Sequence, residues 1–529
     1  MKKFAFVGAI LIIQCTGLFA QYQNSKAAQK MNLAIYALKN YYVDKIDESK
    51  LVEDGIKAMV EKLDPHSAYM TAEEMKEMNE PLQGTFDGIG IAFNMYNDTL
   101  YIVEVISGGP SEKVGLLPGD RILKVDGENI AGVKIDNKNV MKKLKGLKGT
   151  QVTVTVKRRN SDELLEFKII RDKIPIYSLD ASIMVDKKTG YIRLSRFGAT
   201  TTDEFRQAFK ELKSKGMTQL ILDLESNGGG YMSTAIELAD EFLGKGSTIV
   251  YTEGANNPRK DSYATDKGDF ETGRLVVLID EYSASASEIL SGAIQDWDRG
   301  VIVGRRSFGK GLVQSPLPLP DGSMLKLTIA RYYTPSGRFI QKPYENAENY
   351  SKDLIDRYNR GEMTNSDNIH FPDSLRTTTL VNKRTIFGGG GIMPDLFIPL
   401  DTVKYSSLHR KLSNSGVLNR FSIKYVDEHR AELVKVHPNV DVFVANFKPD
   451  EALVAALLDF AKEEKVKLSD EEKASDKTLI MKQLKAYMAR DLGKSSDYYK
   501  VMWTENESLL KAVELINDKK SYEDILKRN

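Results

Sequence analysis

Residues 280–314 read DEYSASASEILSGAIQDWDRGVIVGRRSFGKGLVQ, and the reading of this stretch decides the fold. Just before it, Leu275-Val-Val-Leu-Ile279 is a short apolar run bounded by polar residues, which predicts a buried strand. Beyond the serines Ser283 and Ser285, Ala286, Ile289, Leu290, Ala293, Ile294 and Trp297 recur at helical spacing. A strand ends, the chain turns sharply and a helix begins. A second apolar run, Val301-Ile-Val303, ends in Gly304, and the loop SFGKG then carries Lys310 between two glycines.

A serine at a strand-to-helix turn is placed like a nucleophile, close to helix N–H groups that can face an oxyanion. It needs a base, and the nearest histidines in sequence, His66 and His370, are far away. A lysine serves if burial lowers its pKa. The residues therefore suggest a Ser-Lys pair rather than a Ser-His-Asp triad. The same strand–turn–helix pattern occurs upstream. Leu220–Leu224 is a buried strand, Glu225-Ser-Asn227 leads into Gly228–Gly230, and Met232, Ala235, Ile236, Ala239, Phe242 and Leu243 form one helix face. Two such units argue for an α/β core. The glycine turn lacks the GxGxxG spacing of a dinucleotide site.

The run SASASEI…GAIQDWDR…SFGKGLVQ resembles the signature of the carboxyl-terminal processing proteases, serine peptidase family S41. The resemblance implies a crotonase/ClpP-like core. It implies Ser285, the middle serine, as nucleophile, Lys310 as general base and Gln314 as the residue that hydrogen-bonds and orients the lysine. Ser283 and Ser287 are read as structural, one as a helix cap and the other in the first turn. The oxyanion hole would combine the N–H groups of Gly229 and Ala286. Family members commonly read D-L-R-x-N-P-G-G where this chain has Asp223-Leu-Glu-Ser-Asn-Gly-Gly-Gly, so Glu225 replaces arginine and Gly228 replaces proline.

Working outward, residues 84–171 look like a PDZ domain, with strands expected at Ile89–Phe93, Tyr101–Ile106, Arg121–Val125, Gln151–Lys157 and Leu165–Ile170. Its carboxylate-binding loop would be Phe86–Ala92, with Gly88, Ile89 and Gly90 in the loop. A substrate tail would add as a strand, with Ile91 and Phe93 on one side of an apolar pocket and Val140, Met141 and Leu144, on a helix at Asn137–Lys145, on the other. Residues 22–83 read as an N-terminal helical region ending in LDPHSAYM, which resembles the family's L-D-P-H-S-x-Y segment. His66 there is read as a structural hydrogen-bonding residue. The protease core is expected over 175–404, with 343–385 as a polar insertion or cover, and 405–529 as a helical C-terminal domain. Ser323-Met-Leu-Lys326 matches S-x-x-K, but it follows the hairpin turn Asp321-Gly322 into a strand, where i and i+3 face opposite ways. That chemistry is rejected.

Net charge is +1, without the basic surplus of a nucleic-acid binder. The five histidines are scattered, so neither a metal nor another cofactor is expected. Residues 1–20, MKKFAFVGAILIIQCTGLFA, read as a secretory signal peptide; an uncleaved anchor is the alternative, and Cys15 lies in a poor lipobox. Cys15 is the only cysteine, so no disulfide is expected. The overall expectation is a multidomain α/β serine endopeptidase of the periplasm or cell envelope, acting on proteins with apolar C-termini. An adaptor lipoprotein and a homodimer are partners the resemblance leaves open. The rival reading is a non-catalytic PDZ scaffold, which would keep the groove but need neither Ser285 nor Lys310.

Overall fold

The structure, a computed structural model, describes residues 25–159, 161–344 and 347–528. The segment read as a signal peptide lies outside the described residues. The chain divides into two compact units. The larger comprises Lys76–Val313, Ile329–Pro343 and Ser351–Asn529; the smaller comprises Met1–Met75, Gln314–Thr328 and Tyr344–Tyr350.

The larger unit is built on a six-stranded sheet in the order Leu179–Met184, Thr189–Leu194, Gln219–Asp223, Leu275–Ile279, Val301–Gly304, Leu396–Phe397. The first pair is antiparallel and every later pair is parallel. The continuous apolar runs are explained by burial on both faces. Leu220, Leu222, Leu275, Val277 and Ile279 face one core with Phe205, Leu238, Ala286 and Leu290 from the helices Thr201–Ser214, Met232–Asp240 and Ala286–Asp296. Ile221, Val276, Leu278, Val301 and Val303 face a second core with Leu509, Ala512, Ile516 and Ile525. Those last residues belong to Glu507–Asn517 and Lys519–Lys527, so these two helices close the second face of the six-stranded sheet. Tyr522 fixes them: its hydroxyl accepts from Leu275 N and donates to Leu275 O.

The PDZ-like region enters and leaves through one ribbon, Thr85–Gly88 paired with Asp172–Pro175. Both ends of the inserted domain are thus held side by side. Its sheet runs Ile91–Tyr96, Thr99–Val105, Arg121–Val125, Gln151–Lys157, Leu164–Ile170, with a helix at Asn137–Leu144. Strand starts and ends differ from the expected ones by at most three residues. A separate helical cluster, Leu408 to Val501, forms its own core around Leu412, Phe421, Leu457, Phe460 and Leu484. It meets the PDZ-like sheet at Arg121, whose guanidinium donates to Asp427 at 2.9 Å, and at Tyr96, whose ring lies 6.0 Å from that of Phe460.

The smaller unit carries the helices Lys26–Tyr41 and Glu48–Val60 and the strand Ala68–Met70, which pairs antiparallel with Met324–Lys326. Asp64, in the L-D-P-H-S segment, accepts from the N–H groups of His66 and Ser67 and from Ser67 Oγ. His66 Nε2 shares a hydrogen bond with the Tyr350 hydroxyl at 2.8 Å, a structural contact in keeping with the sequence reading. Lys326 lies on the strand beginning at Met324, and Ser323 Oγ is held by Asp321 at 2.5 Å, so the S-x-x-K pair has no helix to share.

Candidate active site

The serine turn is assembled from buried hydrogen bonds. Asp280, at the end of its strand, accepts from the N–H groups of Ser226, Tyr282 and Ser283. Burial raises its pKa against those bonds. Ser283 Oγ donates to Leu224 O at 2.8 Å, and Ser287 Oγ donates to Asn227 O at 2.8 Å. The two outer serines therefore pin the serine turn to the glycine turn. One expectation is corrected: neither outer serine is the N-cap, because the helix Ala286–Asp296 begins directly after Ser285, which occupies that position. Ser287 does sit in the first turn.

Ser285 has φ 57° and ψ −112°, a backbone conformation that costs a non-glycine residue about 1–3 kcal/mol. The surroundings over-determine it. Its N–H donates to Glu288 Oε2 at 2.8 Å, and its carbonyl accepts from the Tyr332 hydroxyl at 3.2 Å. Its side chain is half-buried while its neighbours Ala284 and Ala286 are buried.

Glu288 also reaches the lysine loop. Its Oε1 accepts from Ser307 Oγ at 2.5 Å and Gly309 N at 2.7 Å, and its Oε2 accepts from Lys310 N at 2.9 Å. The side chain is fully buried, and burial raises its pKa, while the bonds from Ser307, Lys310, Gly309 and Ser285 pull the other way. Every partner is a donor, the arrangement a carboxylate anion requires. Tyr332 adds a second tie: its hydroxyl sits against the carbonyls of both Ser285 and Lys310 and shares its one proton between them. Phe308 N donates to Ser283 O at 3.0 Å. Behind the loop, fully buried Arg357 donates to the carbonyls of Arg306 and Ser307. Burial, reinforced by Arg306, lowers its pKa to about 10. Gly309 has φ 87°, and a Cβ there would meet Gly391 N and Lys342 Cβ at 3.1 Å, so glycine is required. Lys342, a second lysine beside this loop, is committed to Asp353 at 2.8 Å.

The glycine turn abuts the serine. A Cβ on Gly229 would lie 2.9 Å from both Ala286 N and Ser285 Cβ. The Gly229 N–H itself donates to Asn227 Oδ1 at 2.9 Å. Asn227, fully buried, also donates to Leu194 O and accepts from Ala284 N. Glu225, at the position where the resemblance leads one to expect arginine, is half-buried. Burial and the nearby Asp223 raise its pKa to about 7, and Asn506 from the C-terminal helices donates to it at 2.5 Å.

Gln314 belongs to the smaller unit. It lies on the strand Leu312–Pro318, and its Nε2 donates to Thr328 Oγ1 at 3.3 Å. In the PDZ-like region, Val140, Leu144 and Ile89 are buried in the domain core, with Ile91 and Phe93 packed against it. Met141 is 41% exposed. Gly88 closes the entry ribbon opposite Asp172, and Gly90 takes φ 78°. Among the described residues, Ile91–Tyr96 pairs only with Thr99–Val105, which leaves it as an edge strand of its sheet.

The sequence reading missed Glu288, Tyr332 and Arg357. Glu288 was within reach: Ser285-x-x-Glu288 has the spacing of a capping box, in which the glutamate returns to the N-cap N–H. Tyr332 and Arg357 carry no local signal.

Four family models match the chain. Peptidase family S41 covers residues 188–346, a PDZ domain 88–169, the N-terminal domain of the activating protease CtpB 16–74, and a family of unknown function 408–493. The carboxy-terminal-processing protease of Bartonella bacilliformis is 37% identical over 343 residues, covering 64% of this chain and 78% of that protein. The carboxy-terminal processing protease CtpB of Bacillus subtilis is 35% identical over 331 residues, covering 61% and 67%.

Proposed function

Because the chain belongs to the carboxyl-terminal processing proteases of peptidase family S41 and is a serine-type endopeptidase, we propose that Ser285 is its nucleophile, Lys310 its general base and Gln314 the residue that orients the lysine. Neutral Lys310 takes the Ser285 hydroxyl proton as Oγ attacks the scissile carbonyl. The resulting ammonium returns the proton to the leaving amine. Lys310 then activates the water that hydrolyses the acyl-enzyme. Ala286 N–H and Gly229 N–H hold the oxyanion, with Gly229 exchanging its Asn227 bond for the substrate oxygen. The protease core is crotonase/ClpP-like in this reading.

The observation that carries the proposal is the Glu288 carboxylate, which takes the N–H groups of both Ser285 and Lys310 and so builds the two into one rigid constellation. A scaffold would have no use for a strained serine tied to a lysine loop. The PDZ-like region recruits an apolar C-terminus by strand addition along Ile91–Tyr96, with the tail carboxylate at the loop of Gly88, Ile89 and Gly90. Ile91, Phe93, Val140, Met141 and Leu144 then shape the side-chain pocket. The protein acts outside the cytoplasm, on envelope or periplasmic proteins. An adaptor lipoprotein and a second copy of the chain are the partners this reading admits.

The test is cleavage by residues 22–529 and by its Ser285→Ala and Lys310→Ala variants. The substrates are an unfolded protein with an apolar tail and the same protein ending in two aspartates. Cleavage of the first substrate, lost in both variants, is the expected result. Cleavage that survives Ser285→Ala overturns the nucleophile. Tail binding in all three without cleavage favours the scaffold.

A further inference from the structure

We infer that Asp64 and Thr328 are positioning residues that fix which way round the Gln314 amide sits, turning its carbonyl oxygen rather than its NH2 group toward a lysine. This rests on the reading of Gln314 as the residue that orients Lys310. Asp64, Thr328 and Gln314 all lie in the smaller unit.

The argument is one of hydrogen-bond polarity. Asp64 Oδ1 accepts from His66 N at 2.8 Å, Ser67 N at 2.9 Å and Thr328 Oγ1 at 3.1 Å; Oδ2 accepts from Ser67 Oγ at 2.6 Å. Burial works to raise its pKa, but the bonds from Ser67, His66 and Thr328 outweigh that and lower it, so the group is an anion and can only accept. Lys326, itself partly desolvated, feels the Asp64 charge. Ser67 Oγ spends its proton on Asp64 and accepts from Thr328 N at 2.9 Å. The Thr328 hydroxyl has one proton, and Asp64 takes it. Thr328 Oγ1 can therefore only accept from Gln314, at 3.3 Å. The Gln314 group facing Thr328 must be NH2, and its Oε1 points the other way.

That polarity matters for a lysine base. A carbonyl oxygen accepts from the amine N–H and leaves the nitrogen lone pair for the serine proton. A reversed amide would donate to that lone pair and block it. The L-D-P-H-S segment thus acquires a positioning role: it sets the sense of the relay Asp64–Thr328–Gln314.

The experiment measures kcat and KM against pH with an apolar-tailed protein substrate. It compares the full chain with Asp64→Asn, Thr328→Val, Thr328→Ser, Gln314→Ala and Lys310→Ala, alongside each Tm. Thr328→Ser keeps the hydroxyl and is expected within about threefold of the parent. Thr328→Val, nearly isosteric, and Asp64→Asn free the amide to reverse. Each is expected to lower kcat by on the order of tenfold or more with KM unchanged. The acidic limb of the profile should move to lower pH, as in Gln314→Ala, because an acceptor that favours the ammonium has been lost. Losses that track Tm with the limb in place, or a Thr328→Ser as poor as Thr328→Val, overturn the inference alone. Cleavage that survives Lys310→Ala overturns the base assignment and this inference with it.

Discussion

Ser285 and Lys310 share one carboxylate oxygen: Glu288 Oε2 accepts the backbone N–H of the first at 2.8 Å and of the second at 2.9 Å. The two residues lie on different loops, and each loop alone would have several conformations. A fully buried anion whose bonds all come from these loops makes their relative placement a single state.

Glu288→Gln tests this. An amide replaces four acceptor positions with two and turns N–H donors against N–H donors. Because small misplacements of reacting groups are costly, kcat should fall by on the order of 10² with KM little changed. Stopped-flow acylation measures the step concerned. Retained kcat would show that the shared carboxylate is dispensable.

Tyr332→Phe removes the hydroxyl whose one proton is shared between the carbonyls of both residues. The ring is buried, so its packing is kept and the one donor shared by these carbonyls is lost. A stability loss of about 1–3 kcal/mol is expected by denaturant unfolding. Hydrogen exchange should rise at both loops and not in the PDZ-like sheet.

Glu225 gives a pH dependence with a definite sign. Its folded pKa, about 7, lies above the ordinary 4.5 because of burial and Asp223. The folded state therefore holds this proton more tightly than the unfolded chain. Its contribution to stability is intact below pH ~4.5 and is lost as pH rises through about 7. Glu225→Gln should match the parent Tm at pH 5 and exceed it at pH 8, by the equivalent of ~1 kcal/mol or more. Equal Tm curves across this range would refute the assignment.

Asp427→Ala separates the helical cluster from the PDZ-like sheet. Asp427 takes Arg121 at 2.9 Å and Arg159 at 3.4 Å, and Arg121 also lies over the Tyr101 ring. The arginines are partly exposed, so the loss should be modest, about 1 kcal/mol. Hydrogen exchange should increase along Arg121–Val125, with cleavage of an unstructured short peptide unchanged.

Much of the catalytic core was legible in the sequence because its evidence is local. Leu275–Ile279 and Leu220–Leu224 read as strands from their apolar runs alone, and the serine turn and Lys310 read from a contiguous signature. The PDZ-like strands were legible for the same reason, since alternation and turn residues lie within a few positions of each other. Other features depended on distant partners. Nothing in Glu507–Lys527 announces that these helices cover the back of the protease sheet, because an amphipathic helix does not name the surface it buries against. Tyr332 and Arg357 were invisible because a hydroxyl or guanidinium has no sequence mark for the carbonyl it will find. The sequence by itself determined the kinds of element and the chemical groups. The tertiary structure alone decided how those groups are held, since hydrogen bonds such as Asn506 to Glu225 join residues hundreds of positions apart, and closure of the fold puts them in reach.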